Sequence, residues 1–154
     1  MKPFPWSHKH RIVREPRSKL VVWSERFETG IRKVDEQHRE LAGIINQLSD
    51  AMYSGKGRNM MGRTLATLEK YAAYHFSTEE NLMASHGYPD LAEHRKGHES
   101  FSGIVLEYRQ KFEGDGIVVP AEILCFMGQW IISHIMDEDM EFGRLLKRPE
   151  VARD

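Results

Sequence analysis

From Val34 to about Ser54 the apolar residues Val34, Leu41, Ile44, Ile45 and Leu48 return at intervals of three and four, the repeat of a helix with one buried face. Gly55 and Gly57 end the pattern. A second repeat runs from about Arg58 to His86, with Leu65, Leu68, Ala72, His75, Glu79 and Leu82 on one stripe, and Gly87 and Pro89 supply its stop and turn. The third starts near Asp90, a candidate N-cap, and reads Leu91, His94, His98, Phe101, Val105, Tyr108, Phe112 before Gly114, Asp115 and Gly116. The fourth opens near Pro120, a favourable first-turn residue, and continues to about Lys147, ahead of Pro149. Its stripe is Ile123, Met127, Trp130 and His134, then less cleanly Phe142 and Leu145. No segment alternates with a period of two. The pattern predicts an all-α protein, and short connections between long helices force antiparallel neighbours, hence an up-down-up-down four-helix bundle with an N-terminal arm.

The expected organisation is an irregular arm over 1–21, a bundle over 22–148 and a short tail over 149–154. The arm carries Lys2, Lys9, Arg11, Arg14, Arg17 and Lys19 against Glu15 alone, with Pro3, Pro5 and Pro16 scattered among them. It reads as a solvated tail, or as a basic element that meets an anionic membrane surface or a partner; His8 and His10 are treated as part of it. The formal net charge of -1 gives no electrostatic reason to expect nucleic acid as a partner. Cys125 is the only cysteine, so an internal disulfide and any cysteine-held cluster are excluded, and it is expected to be a small buried hydrophobe. No run approaches the ~20 apolar residues of a membrane span, and the N-terminus lacks the apolar block of a secretory signal, so a cytoplasmic location is expected.

Histidine is the residue that changes the picture. One or more lies on the inward stripe of every helix: His38 on the first, His75 on the second, His94 and His98 on the third, His134 on the fourth. A buried imidazole without a partner costs on the order of 1–3 kcal/mol, and an apolar bundle interior offers few partners. A shared metal supplies one. His38 falls near the start of its helix, His75 and Glu79 near the end of theirs, His94 and His98 near a start, His134 and Asp139 towards an end. In an antiparallel bundle those ends share a pole, so the candidates form one layer. His94 and His98 at i and i+4 face the same way, as do His75 and Glu79. On the fourth helix Glu138, at i+4 from His134, is better aligned than Asp139 at i+5, which lies about 140° away on an ideal helix; a local bulge or a more distant approach could restore Asp139. Imidazoles with carboxylates suit iron, but also zinc, copper, nickel or manganese.

His38, then His75-x-x-x-Glu79, then His94-x-x-x-His98, then His134-x-x-x-x-Asp139 resembles the seven-ligand pattern of the hemerythrins, and Trp23-Ser24-x-x-Phe27-x-x-Gly30-Ile31-x-x-Val34-Asp35-x-Gln37-His38 is similar to the start of the bacteriohemerythrins. The resemblance covers about residues 22 to 147. It implies two iron ions with an oxo or hydroxo bridge, His94, His98 and His134 completing one, His38 and His75 serving the other, and Glu79 and Asp139 bridging the pair. One coordination position then stays open for O2, under apolar cover from Ile131 and Met136. The implied function is reversible O2 binding for storage or delivery, not catalysis, with O2 as ligand and an O2-consuming enzyme among the expected partners. Sensing of O2 or nitric oxide, and a di-iron peroxidase or nitric-oxide-reducing enzyme, are the alternatives. Trp23 and Trp130 are read as packing residues.

Overall fold

A computed structural model describes residues 19–114 and 116–148. A short 3-10 turn, Glu25–Phe27, leads into α1 (Arg32–Tyr53), α2 (Gly57–Ser85), α3 (Leu91–Glu113) and α4 (Pro120–Ser133); the chain then passes through one stretch of π-helix, His134–Asp139, into α5 (Met140–Lys147). Because α4, the π stretch and α5 form one continuous rod, the molecule is a four-helix bundle, as the spacing predicts. The arm over 1–18, with His8 and His10, and the tail over 149–154 lie outside the described residues.

Three local devices set the helix ends. Pro120 occupies the first turn of α4, where its missing N–H removes nothing. At the end of α2, Gly87 takes a left-handed φ of 62°, and Tyr88 N–H donates to Met83 O (2.9 Å) while Gly87 N–H donates to Ala84 O (3.2 Å). This double bond satisfies two terminal carbonyls and folds Tyr88 back onto Met83, an apolar contact typical of such caps. At the start of α1, buried Asp35 reaches back to accept from Thr29 N (2.7 Å), Thr29 Oγ1 (2.8 Å) and Gly30 N (3.1 Å), which fixes the entering loop. Asp90 sits at the N-cap position of α3 as predicted, yet its side chain makes no capping bond.

The interior has two apolar parts with a polar layer between them. The larger contains Leu41, Ile45, Leu48, Leu65, Leu68, Phe101, Ile123, Met127 and Ile135. Phe101 joins α3 to α4 through Trp130 (ring centroids 4.4 Å) and Phe126 (5.4 Å). The smaller part, Met83, Tyr88 and Phe142 with Ile31, Leu91 and Leu145 packed around them, closes one end of the bundle. Along every helix the metal-binding candidates lie between these two groups, so the polar layer is sealed from both sides. Cys125 departs from expectation: it is exposed rather than buried, because α4 turns that position outward into a groove shared with Leu20, Val21, Met52 and Gly128. No helix among the described residues is long and apolar enough to cross a membrane.

Candidate metal centre

All seven predicted residues converge in the polar layer, and each is 3% exposed or less. His38 comes from α1, His75 and Glu79 from α2, His94 and His98 from α3, His134 and Asp139 from the two ends of the π stretch. That stretch resolves the conflict over the second carboxylate. Its i→i+5 closure brings the fifth residue after His134 back beneath it, so Asp139 points inward despite its unfavourable α-helical spacing. Glu138, which an ideal helix would favour, is displaced to the rim, where its side chain is 45% exposed.

The two carboxylates divide their oxygens between two groups of imidazoles. Glu79 Oε1 lies 3.3 Å from both His38 Nε2 and His75 Nε2, while Glu79 Oε2 lies 3.1 Å from His98 Nε2 and 3.5 Å from His94 Nε2. Asp139 Oδ2 lies 3.0 Å from His38 Nε2, and Asp139 Oδ1 lies 3.4 Å from His94 Nε2 and 3.2 Å from His134 Nε2. Every histidine therefore turns Nε2 to the centre. Two sets of donor atoms, Glu79 with His94, His98 and His134, and Glu79 with His38, His75 and Asp139, are each close enough to surround one ion. A pair of clusters sharing a carboxylate is the arrangement a dinuclear site requires.

The chemistry of these atoms fits a metal. Among the described residues, His38 Nε2, His75 Nε2, Glu79 Oε1 and both Asp139 oxygens are buried without a hydrogen-bond partner, although each is within ion-pairing distance of another. Buried polar atoms are ordinarily satisfied, and five orphans aimed at one small volume mark a shared ligand. Charge points the same way. Burial alone would pull the His38 imidazolium down, yet Asp139 and Glu79 hold it up at about 9. Burial likewise opposes the charged form of His134, and Asp139 with Glu138 overrides it to about 10. His75, dominated by burial, is pushed down to about 4. Burial would raise Glu79, but the charge of His75 and hydrogen bonds from His38, His94 and His98 draw it well below the usual range. Positive charge is thus wanted at this centre and is supplied by protons on His38 and His134 when nothing else provides it.

Around the seven stands a second set of residues, of which helical spacing pointed to Glu138 alone, and to it as an inward residue. Gln37 Oε1 accepts from His75 Nδ1 at 2.8 Å, and Gln37 Nε2 donates in turn to Thr78 Oγ1 at 3.2 Å. Glu80 Oε1 accepts from His98 Nδ1 at 3.0 Å, while Arg95 Nε donates to its other oxygen at 2.8 Å. Glu138 Oε2 faces His94 Nδ1 at 3.2 Å and His134 Nδ1 at 3.4 Å. Partners on Nδ1 fix the tautomer that leaves the Nε2 lone pair facing inward. Aromatic rings clamp three imidazoles: Phe76 stacks on His98 at 3.8 Å, Trp130 on His134 at 4.3 Å and Tyr71 on His75 at 5.1 Å. Trp130 packs as expected, against a ligand candidate as well as the core. Tyr71 and Trp130 each stand four residues before the histidine they cover, a spacing visible in the sequence, whereas Glu80 and Phe76 act across helices. Of the two residues expected over O2, Ile131 is buried and lines the groove between α1 and α4, and Met136 is half-buried; the fully buried apolar neighbour of His134 is Ile135. His86 is exposed, with Nδ1 2.8 Å from Leu82 O, and stands apart from the centre.

Comparison with known proteins agrees with this geometry. Residues 29–146 match the family model of the hemerythrin HHE cation binding domain. A bacteriohemerythrin of Stenotrophomonas maltophilia is 33% identical over 128 residues, covering 83% of this chain and 82% of that protein. One from Clostridium acetobutylicum is 35% identical over 130 residues, covering 80% and 98%. A crystal structure of wild-type hemerythrin superposes with a TM-score of 0.76 at 29% identity, over 84% of this chain and 99% of that one. With seven converging side chains, a matching family model over most of its length and relatives at this identity, the chain belongs to the hemerythrin family and is a di-iron-binding module of the bacteriohemerythrin kind.

Proposed function

We propose that the chain binds O2 reversibly at a di-iron centre held by His38, His75, Glu79, His94, His98, His134 and Asp139, and serves to store or deliver it. The observation that carries this reading is the unequal division of imidazoles: Glu79 and Asp139 each offer one oxygen to either side, with three histidines on one side and two on the other. Two ferrous ions held there would supply the electrons with which O2 is taken up and given back, and the side with fewer protein donors would be the one to admit it. The chain's own part is to hold the donors still and to keep water away. Gln37, Glu80 and Glu138 orient the rings from outside, while Ile131, Ile135 and the Met83–Phe142 cluster exclude solvent. Met136 is assigned with Ile131 to the apolar cover.

A carrier is favoured over an O2-activating enzyme by the donor set. Di-iron bundles of the carboxylate class combine a Glu from each of two helices with Glu-x-x-His pairs from the other two, whereas here five imidazoles meet two carboxylates. Metal content and an anaerobic-to-aerobic optical difference spectrum test the proposal. The ferrous protein is expected to gain a visible absorption band in air and to lose it under argon; a colourless protein with a single zinc refutes the reading. His98→Ala should forfeit at least one iron and His86→Ala none. Rapid turnover of peroxide with a reductant would replace the carrier by a peroxidase.

A further inference from the structure

The residues behind the histidines are not distributed evenly. On the three-imidazole side every outer nitrogen faces a carboxylate: His98 Nδ1 meets Glu80 Oε1 at 3.0 Å, and His94 and His134 share Glu138 Oε2 at 3.2 and 3.4 Å. On the two-imidazole side His75 Nδ1 meets the neutral amide of Gln37 at 2.8 Å, and His38 Nδ1 is buried with no hydrogen-bond partner among the described residues. A carboxylate that accepts an Nδ1–H leaves electron density at Nε2 and adds a nearby negative charge, so the ring becomes a stronger donor; an amide does this weakly, and an unpartnered ring not at all.

Resting on the two-metal reading above, we propose that the two metal positions are unequal in retention: the one formed by His94, His98 and His134 fills first and holds its ion, and the one formed by His38 and His75 exchanges. Glu80 and Glu138 act as positioning residues that set this difference. Of the two, Glu138 is the stronger determinant. It serves two rings, whereas the charge of Glu80 is offset by Arg95 at 2.8 Å. Gly97 backs this pair: a Cβ there would come into van der Waals contact with His134 Nδ1 and Glu138 Oε2, at 3.5 and 3.6 Å.

The test is a chelator challenge of the iron-loaded, full-length protein under anaerobic conditions, following iron per chain against time. Two phases are expected, of one ion each, separated by at least ~10-fold in rate, since loss of such outer partners typically costs 10–100-fold in metal affinity. His75→Ala should retain a single ion that leaves at the slow rate, assigning the phases. Glu138→Gln should hasten the slow phase by about 10–100-fold, Glu80→Gln by less, and neither should alter the fast one. Gln37→Glu should slow the fast phase. Both carboxylates are on the surface side of the rings, so these isosteric changes leave the fold intact, which far-ultraviolet circular dichroism checks. Two ions leaving together overturn the inference while the two-metal reading stands. Two phases untouched by Glu80→Gln and Glu138→Gln overturn the role given to the carboxylates. A chain that never holds more than one ion removes the two-metal reading and this inference with it.

Discussion

The imidazoles of His38 and His134 hold protons that the unfolded chain would release near its ordinary value of 6.5, because burial, which opposes the charge, is outweighed by Asp139, Glu79 and Glu138. A group whose folded value is raised stabilises fully below its unfolded value, and that contribution disappears as pH climbs towards the folded one. The metal-free protein should therefore lose thermal stability steadily from pH 6.5 towards 9 and 10. His75 has the opposite sign: with its folded value lowered to about 4, it weakens the fold as pH drops below 6.5, and Glu79 adds to this loss at still lower pH. Melting curves of the metal-free chain should peak close to neutrality, and a flat profile above pH 7 would contradict the assignment. Metal replaces those protons, so loading at pH 8 should release acid into an unbuffered solution, measurable with an indicator dye. At this scale the sequence was largely legible: six of the seven inward residues follow from helical spacing, since a stripe needs only the period, while Asp139 came from the family resemblance and against that spacing. Of the outer partners, Glu138 was visible only as a rival to Asp139, and Glu80 was not visible, because it meets His98 across two helices and nothing in local spacing records which faces oppose each other.

Among the elements, the junction between α5 and the loop entering α1 shows how backbone contact fixes the layer. A Cβ at Gly143 would run into the carbonyl oxygen of Thr29, and Thr29 is the residue whose N–H and hydroxyl are held by Asp35. The start of the helix bearing His38 is thereby pressed against the end of the rod bearing Asp139. Gly143→Ala must part them, and overpacking of this kind typically costs ~1–3 kcal/mol, so the variant should melt earlier and hold metal less tightly. An unchanged melting temperature would show that the loop yields freely. Element boundaries followed well from the repeat, and Gly87 with Pro89 announced the end of α2. The π stretch did not: the apolar stripe of the fourth helix loses its clean period after His134, but a blurred period does not say whether one residue has been inserted or the helix has ended.

For the whole molecule, the layering of a polar centre between two apolar groups matches the expectation that all ligand-bearing helix ends share one pole. Exposure was anticipated less well. Cys125 lies on the outward side of α4, in an apolar groove of about 710 Å³ lined by Leu20, Val21, Met52 and Ile131 among others. It should react with a thiol reagent in the native state at close to the rate of a free cysteine, whereas protection until denaturation would place it inside. The period of α4 already pointed outward, since Cys125 lies two residues from both Ile123 and Met127 and so off their stripe; the expectation of burial rested on the type of side chain alone.

The irregular stretch in the fourth helix has a consequence for engineering. Consecutive residues, Glu138 and Asp139, address opposite ends of the same imidazole ring, which a regular helix would not allow from neighbouring positions. Excising Asp137 would leave Asp139 four places after His134, still inward in an ordinary helix, but would leave Glu138 only three places away and swing it from the outer nitrogens of His94 and His134. Such a deletion should yield a chain that folds at least as firmly when empty and yet surrenders its more tightly held ion far sooner, separating the strength of the scaffold from its grip on the cargo.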